Sequence, residues 1–159
     1  MTPTTIEQIQ QLVQEIGPNM PEIDAIVQTE EPSWAIQFSD ETILILDAAD
    51  DPSRIVISSE LGSVDDTKQG IVYETLLCYN MMWRTSGGVR IGLAGPQGAL
   101  IISTDVHLAN LTQHDLQQEI ERFLKITRSW AKYIAQSDKD VQALPPLPGM
   151  GSTGSYLSA

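Results

Sequence analysis

Glu74-Thr-Leu-Leu-Cys-Tyr-Asn-Met-Met-Trp-Arg-Thr-Ser-Gly-Gly-Val-Arg-Ile-Gly-Leu-Ala-Gly-Pro-Gln-Gly-Ala-Leu-Ile-Ile-Ser-Thr-Asp-Val106 decides the fold. An apolar helical run stops at a double glycine, and two strands follow at once. Leu76, Leu77, Tyr79, Met81, Met82 and Trp83 give the helix more apolar surface than one amphipathic stripe requires, so it should touch more than its own core. Gly87 and Gly88 supply the stop, because a residue without Cβ tolerates positive φ. Val89, Ile91 and Leu93 then alternate with Arg90 and Gly92, and Gly95-Pro96-Gln97-Gly98 turns the chain back into Ala99-Leu100-Ile101-Ile102.

Working outward, Thr4-Thr5-Ile6-Glu7 has the form of a capping box, with Thr4 as N-cap. Ile6, Ile9, Val13 and Ile16 recur behind it at helical spacing until Gly17-Pro18. A polar, proline-containing connection leads to three strands, Ser33 to Phe38, Thr42 to Asp47 and Arg54 to Ser58, joined by short acidic turns. A second helix is expected from about Asp66 to Arg84. Thr112-Gln113-His114-Asp115 is another capping box, opening a final helix whose face is Leu116, Ile120, Phe123, Leu124, Thr127, Trp130, Ala131 and Ile134. The predicted fold is α+β, in the order α-β-β-β-α-β-β-α, with a twisted, mainly antiparallel five-stranded sheet packed by helices.

These elements make one domain, residues 1–136, of a size that buries about two thirds of its unfolded surface. Residues 137–159 change to Pro, Gly and Ser, with too few apolar side chains to offset the entropy of ordering them, and are expected to form a flexible tail. The PxxP spacing of Pro145 and Pro148 is weak evidence for a polyproline ligand.

The formal net charge is −12, and it is concentrated. Residues 22–66 hold twelve acids against Arg54 alone, a field that repels phosphate backbones and anionic lipid and so argues against nucleic-acid and membrane-surface binding. It reads either as a solvated face that keeps the chain soluble or as a contact surface for a basic partner. The N-terminus has neither a basic nor an apolar signal region, and no apolar run approaches the roughly 20 residues that span a bilayer, so a cytoplasmic protein is expected.

Candidate chemistry is sparse. Cys78, the one cysteine, lies inside an apolar helix and reads as a buried, inert thiol. His107 and His114 belong to no cluster with metal-ligand spacing. Gly92, Gly95 and Gly98 lack the lysine and hydroxyl residue of a phosphate loop, and strands bound them on both sides. No catalytic constellation, metal site or cofactor is expected.

The strands suggest binding instead. Trp34, Ile36 and Phe38 alternate with Ala35 and Gln37, but Ile43, Leu44, Ile45 and Leu46 are apolar on both faces, as are Ile55, Val56 and Ile57 and Leu100, Ile101 and Ile102. Three helices cover one face and part of the other, leaving apolar surface for a partner. The alternative is that helices cover both faces and nothing is left over.

The order of elements, the YNMMWR-x-x-GG junction, the GPQG hairpin and the long final helix with its tryptophan resemble the class I chaperones of bacterial type III secretion, the family of the Tir and Yop effector chaperones. The resemblance spans about residues 4–135. It implies a bacterial, cytoplasmic, non-enzymatic homodimer that binds the N-terminal chaperone-binding segment of one or a few effectors and keeps it soluble and secretion-competent. It also implies contact with the ATPase of the secretion apparatus. The effector segment would lie extended in grooves of the first helix and the strand faces, partly by strand addition. Carried to this chain, the effector-binding candidates are Ile6, Ile9, Val13, Trp34, Ile36, Phe38, Ile43, Ile45, Ile55 and Ile57. The implied dimer interface is Leu76, Tyr79, Met82, Trp83, Val89 and Ile91. Two alternatives use the same residues differently: a regulatory protein that sequesters a secretion-linked activator, and a small metal-dependent hydrolase built on the acidic segment.

Overall fold

The structure, a computed structural model, describes residues 3–30 and 32–136. Helix α1 (Pro3–Ile16) leads through one 3-10 turn at Gly17–Asn19 into strands β1 (Ile23–Glu30), β2 (Ser33–Phe38), β3 (Ile43–Ala49) and β4 (Arg54–Gly62). Helix α2 (Gln69–Met81) and a single turn, α3 (Trp83–Ser86), precede β5 (Arg90–Leu93), β6 (Leu100–His107) and α4 (Gln113–Ile134). All six strands form one antiparallel sheet in the order β1-β2-β3-β4-β6-β5.

The sheet therefore has six strands, not five. The connection expected before Ser33 is strand β1, and its pattern is disguised for a physical reason. Register shifts between Ile23 and Ala25 and between Gln28 and Glu30 break the period-two alternation, so Ile26 packs towards the core while Val27 faces out. Helix α1 begins at Pro3, one residue before the expected N-cap Thr4. Gln69, not Asp66, opens α2, because Asp65 holds the preceding turn by accepting from the backbone N–H and hydroxyl of Thr67. The same helix breaks at Met82 (φ −88°, ψ 32°) and resumes for one turn.

Other expectations hold. Gly87 ends α3 in the left-handed conformation (φ 66°), and its missing Cβ matters for a second reason: one built there would sit 2.6 Å from Nη1 of Arg122, which donates to the Ser86 carbonyl. The β5–β6 hairpin closes around Gly95-Pro96-Gln97-Gly98, with Leu93 opposite Leu100. At the start of α4, the Thr112 hydroxyl accepts from the Asp115 N–H and the Asp115 carboxylate accepts from the Thr112 N–H. The hydroxyl of Thr112 also donates to that carboxylate and holds it below its ordinary pKa. Along α4 the expected face is buried except Ala131, with Ile126 and Tyr133 added.

Pairing decides which strand face is core. Trp34 stands opposite Leu46 and Ile36 opposite Leu44; Leu46 stands opposite Ile57, and Ile57 opposite Thr104. All are buried beneath α1 and α4, which pack on each other. Directly paired residues share a face, so Ala35, Ile45, Ser58, Ser103 and Arg90 form a row on the opposite side. That side is half-buried or exposed along its length. Helix α2 packs on α4, where Tyr79 meets Trp130 edge-on at 5.0 Å and Trp130 meets Tyr133 at 5.5 Å. The tail expected at residues 137–159 lies outside the described residues.

Candidate partner-binding surfaces

At one end of the sheet, α2 lies against edge strand β5. Val72, Leu76 and Tyr79 point inward, and burial pushes the Tyr79 phenol above its ordinary pKa. Outward stand Ile71, Leu77 (68% exposed), Met81 (79%) and Trp83 (58%), with the Arg84 guanidinium 5.1 Å from the Trp83 ring. A large apolar side chain left in water is a poor use of folding free energy unless something covers it. Between α2 and β5 runs a cavity of about 300 Å³, lined almost wholly by apolar groups, including Tyr73, Leu77, Gly92 and Leu93.

Of the expected dimer residues, the structure keeps Trp83 on the surface and Met82 half-buried, but it places Leu76, Tyr79, Val89 and Ile91 in the chain's own core. Ile71, Leu77, Met81 and Leu93, which the expected interface does not include, are exposed instead. The signal was present in the helical spacing of Leu77 and Met81, but the phase of an all-round apolar helix cannot be set from periodicity. Cys78 also corrects the reading: it is exposed on this outer side, not buried.

Asn80 does something different here. Its carboxamide nitrogen donates to the Ile91 carbonyl at 2.8 Å, and its oxygen accepts from the Ile91 N–H at 2.9 Å. One side chain thus satisfies both outward backbone groups of an edge-strand residue, as a seventh strand would.

The other end of the sheet is strand β1, which pairs with β2 on one side only. Beside it, between α1 and β1, lies a cleft of about 270 Å³ lined by Gln10, Val13, Gln14, Ile26, Gln28 and Trp34. Val27 projects from the other face, 56% exposed. Among the described residues no strand lies beside the outer backbone groups of β1.

The ten expected effector-binding residues separate into two sets. Ile9, Val13, Trp34, Ile36, Phe38, Ile55 and Ile57 are buried and hold the sheet to α1 and α4, and Ile6 packs against them. They are core, with Val13 and Trp34 also flooring the β1 cleft. Truncating such a residue to alanine costs about 2–5 kcal/mol through the cavity it leaves, so it would abolish binding by loosening the fold. Ile43 and Ile45 alone among the ten lie on the open face.

Charges on that face are largely paired. Asp105 lies 2.9 Å from Arg90 and 3.7 Å from Arg54, and Asp47 accepts from the Ser33 hydroxyl. Below the β2–β3 turn, Arg128 of α4 reaches Asp40 at 2.7 Å and Glu22 at 3.4 Å. Its hydrogen bond holds the Asp40 carboxyl below the ordinary value. Among the described residues no group of three or more His, Cys, Asp or Glu is placed to hold a metal ion. No helix among them is long and apolar enough to cross a membrane.

A family model described as the Tir chaperone protein (CesT) family matches residues 8–131. The chain belongs to that family. For this Tir-family chaperone, the resemblance read at the YNMMWR-x-x-GG junction is therefore correct, and so is the expectation of a type III secretion chaperone. No curated protein matches the sequence significantly. Solved structures share its fold. One is the ExsC-ExsE complex, a chain of which aligns with a TM-score of 0.68 and 13% identity, over 83% of this chaperone and 98% of that chain. Another is the HopA1-SchA chaperone-effector complex, with a TM-score of 0.66 and 16% identity over 83% and 99%.

Proposed function

We propose that this chaperone works as a homodimer joined through the outer side of α2, α3 and β5. In this reading each protomer holds an unfolded N-terminal segment of a type III effector along β1. The segment adds to the β1 edge as an extended strand, with one set of side chains over the α1 cleft and the alternate set beside Val27. Bound there, its apolar groups are withheld from aggregation until secretion. The observation that carries the reading is an unpaired strand edge with a cleft beside it, in a chain matched to the chaperone family over residues 8–131. The protein acts by binding alone, without turnover or cofactor, in the bacterial cytoplasm.

The acidic segment steers encounter more than it holds the partner, since charges at a rim act mainly on association rate. Co-expression with the effectors of the source bacterium, followed by limited proteolysis and mass spectrometry of the complex, tests the reading. A protected, extended N-terminal effector segment and a chaperone mass of twice 17.5 kDa are expected. A monomer, or a bound effector whose N-terminal segment remains protease-sensitive, would overturn it.

A further inference from the structure

The sheet forks between β3 and β4. Their ladder ends at Ile45 opposite Ser58, yet β3 stays paired with β2 at Ile43 and β4 stays paired with β6 as far as Gly62. The Ser59 hydroxyl bridges the split by donating to the Ile43 carbonyl at 2.8 Å. Into the fork opens a cleft of about 460 Å³, with Ile43, Ile45 and Ala131 as apolar wall and Asp40, Glu41 and Glu60 as carboxylates. Arg128 engages Asp40, whereas Glu41 and Glu60 have no ion pair among the described residues. Thr127 of α4 also lines the cleft. It is 3% exposed, and its hydroxyl has no hydrogen-bond partner among the described residues. A buried hydroxyl left unpaired is costly and points to a group supplied from outside.

We propose that this fork is a specificity pocket for one long cationic side chain, lysine or arginine, of the segment the chaperone binds. The inference rests on the function proposed above. An anionic group would be repelled by Glu41 and Glu60, and an apolar one would leave Thr127 and both carboxylates unmatched. A lysine lays its methylene stem on Ile43, Ile45 and Ala131 and donates from its ammonium to the carboxylates and the Thr127 hydroxyl. Position favours the same occupant. The fork opens at the end of the sheet where Ile23 faces Phe38 and Gln37 faces Ile43, two strand spacings, about 10 Å, from the β1 edge. A segment leaving β1 at that end passes the pocket.

The test titrates the full chain with n-butylammonium, followed by amide chemical shifts in ¹H–¹⁵N spectra, with n-butanol and butyrate as controls. Saturable shifts at Ile43, Glu60 and Thr127 are expected with butylammonium, weaker ones with butanol and none with butyrate. E41Q and E60Q together should weaken butylammonium by about threefold to tenfold, the range of two solvent-facing ion pairs. Thr127→Val, which keeps the side-chain shape, should weaken it further. Equal affinity for butanol, or shifts that do not saturate, would overturn the proposal. An effector segment recovered with the chaperone should displace the probe; a probe that stays bound beside it would also overturn the assignment. Saturable, charge-dependent binding in a protein that recovers no effector would leave the pocket supported and count against the proposed effector binding along β1.

Discussion

The two edges of the sheet are treated in opposite ways. At β5 Asn80 caps the outward backbone groups of Ile91, and the apolar surface lies beyond it on α2. At β1 no strand of the described residues pairs with the outer backbone, and the apolar surface is confined to a small cleft and Val27. A covered edge beside exposed side chains suits a side-chain interface such as a helix-mediated dimer. A bare edge beside a narrow cleft suits an extended peptide, whose main chain supplies much of the affinity. One sheet thus offers two kinds of contact without confusing them.

The comparison breaks most visibly if the dimer is attacked. Leu77→Glu with Met81→Glu would bury charge at the outer side of α2, and the dimer Kd should rise by more than about 100-fold, measured by sedimentation equilibrium. The monomer should keep its circular-dichroism spectrum, since both side chains are outside its core. A dimer of unchanged affinity would move the interface elsewhere.

Proline at β1 sharpens the contrast. Successive N–H groups of a strand point to opposite edges, so Val27→Pro and Gln28→Pro, both at exposed side chains, should differ. The one whose N–H faces β2 should lose about 3 kcal/mol of stability. The other should fold normally and bind effector at least about tenfold more weakly, because it cannot donate to an added strand. Equal outcomes in calorimetry and binding would show that β1 does not act as a template.

Asn80→Ala should cost about 1–3 kcal/mol in thermal unfolding, since it leaves the Ile91 N–H and carbonyl without their partner. Asn80→Asp, which keeps the acceptor but loses the donor, should cost part of this.

The smallest effect concerns acid. The Asp40 carboxyl is held below its ordinary 3.8 by Arg128, so the contribution of this ion pair is present above that pH. It is lost as pH falls through the lowered value. Asp40→Asn should cost less than about 1 kcal/mol at neutral pH and flatten the stability profile below pH 3.8, by chemical denaturation. An unchanged profile would mean that the pair ties nothing down.

The legibility of these regions in the sequence followed how much the local signal was shared with tertiary context. Helix α4 was plain because its capping box and stripe are local and one face is solvated. Strand β1 was not, because two register shifts erased its alternation and its end, Gln28 to Glu30, is wholly polar. The β-strand residues chosen for the groove were apolar, as groove and core both require. Only the pairing of Trp34 with Leu46 and of Ala35 with Ile45 separates the faces. The surplus of apolar residues from Leu76 to Trp83 is legible, but which of them face out is not, since the break at Met82 that orients the following turn has no signature in Met-Met-Trp.

Asn80 has one more consequence, for polymer growth. A sheet with two open edges can add copies of itself head to tail without limit, as fibres do. Here Asn80 already occupies both outward backbone groups of Ile91 in the four-residue strand β5, so a second copy meeting that edge has to displace a bonded side chain. The edge left for strand addition is then β1, the one the proposed function gives to the effector segment. A client strand seated there covers the edge through which the chaperone's own sheets could otherwise pair.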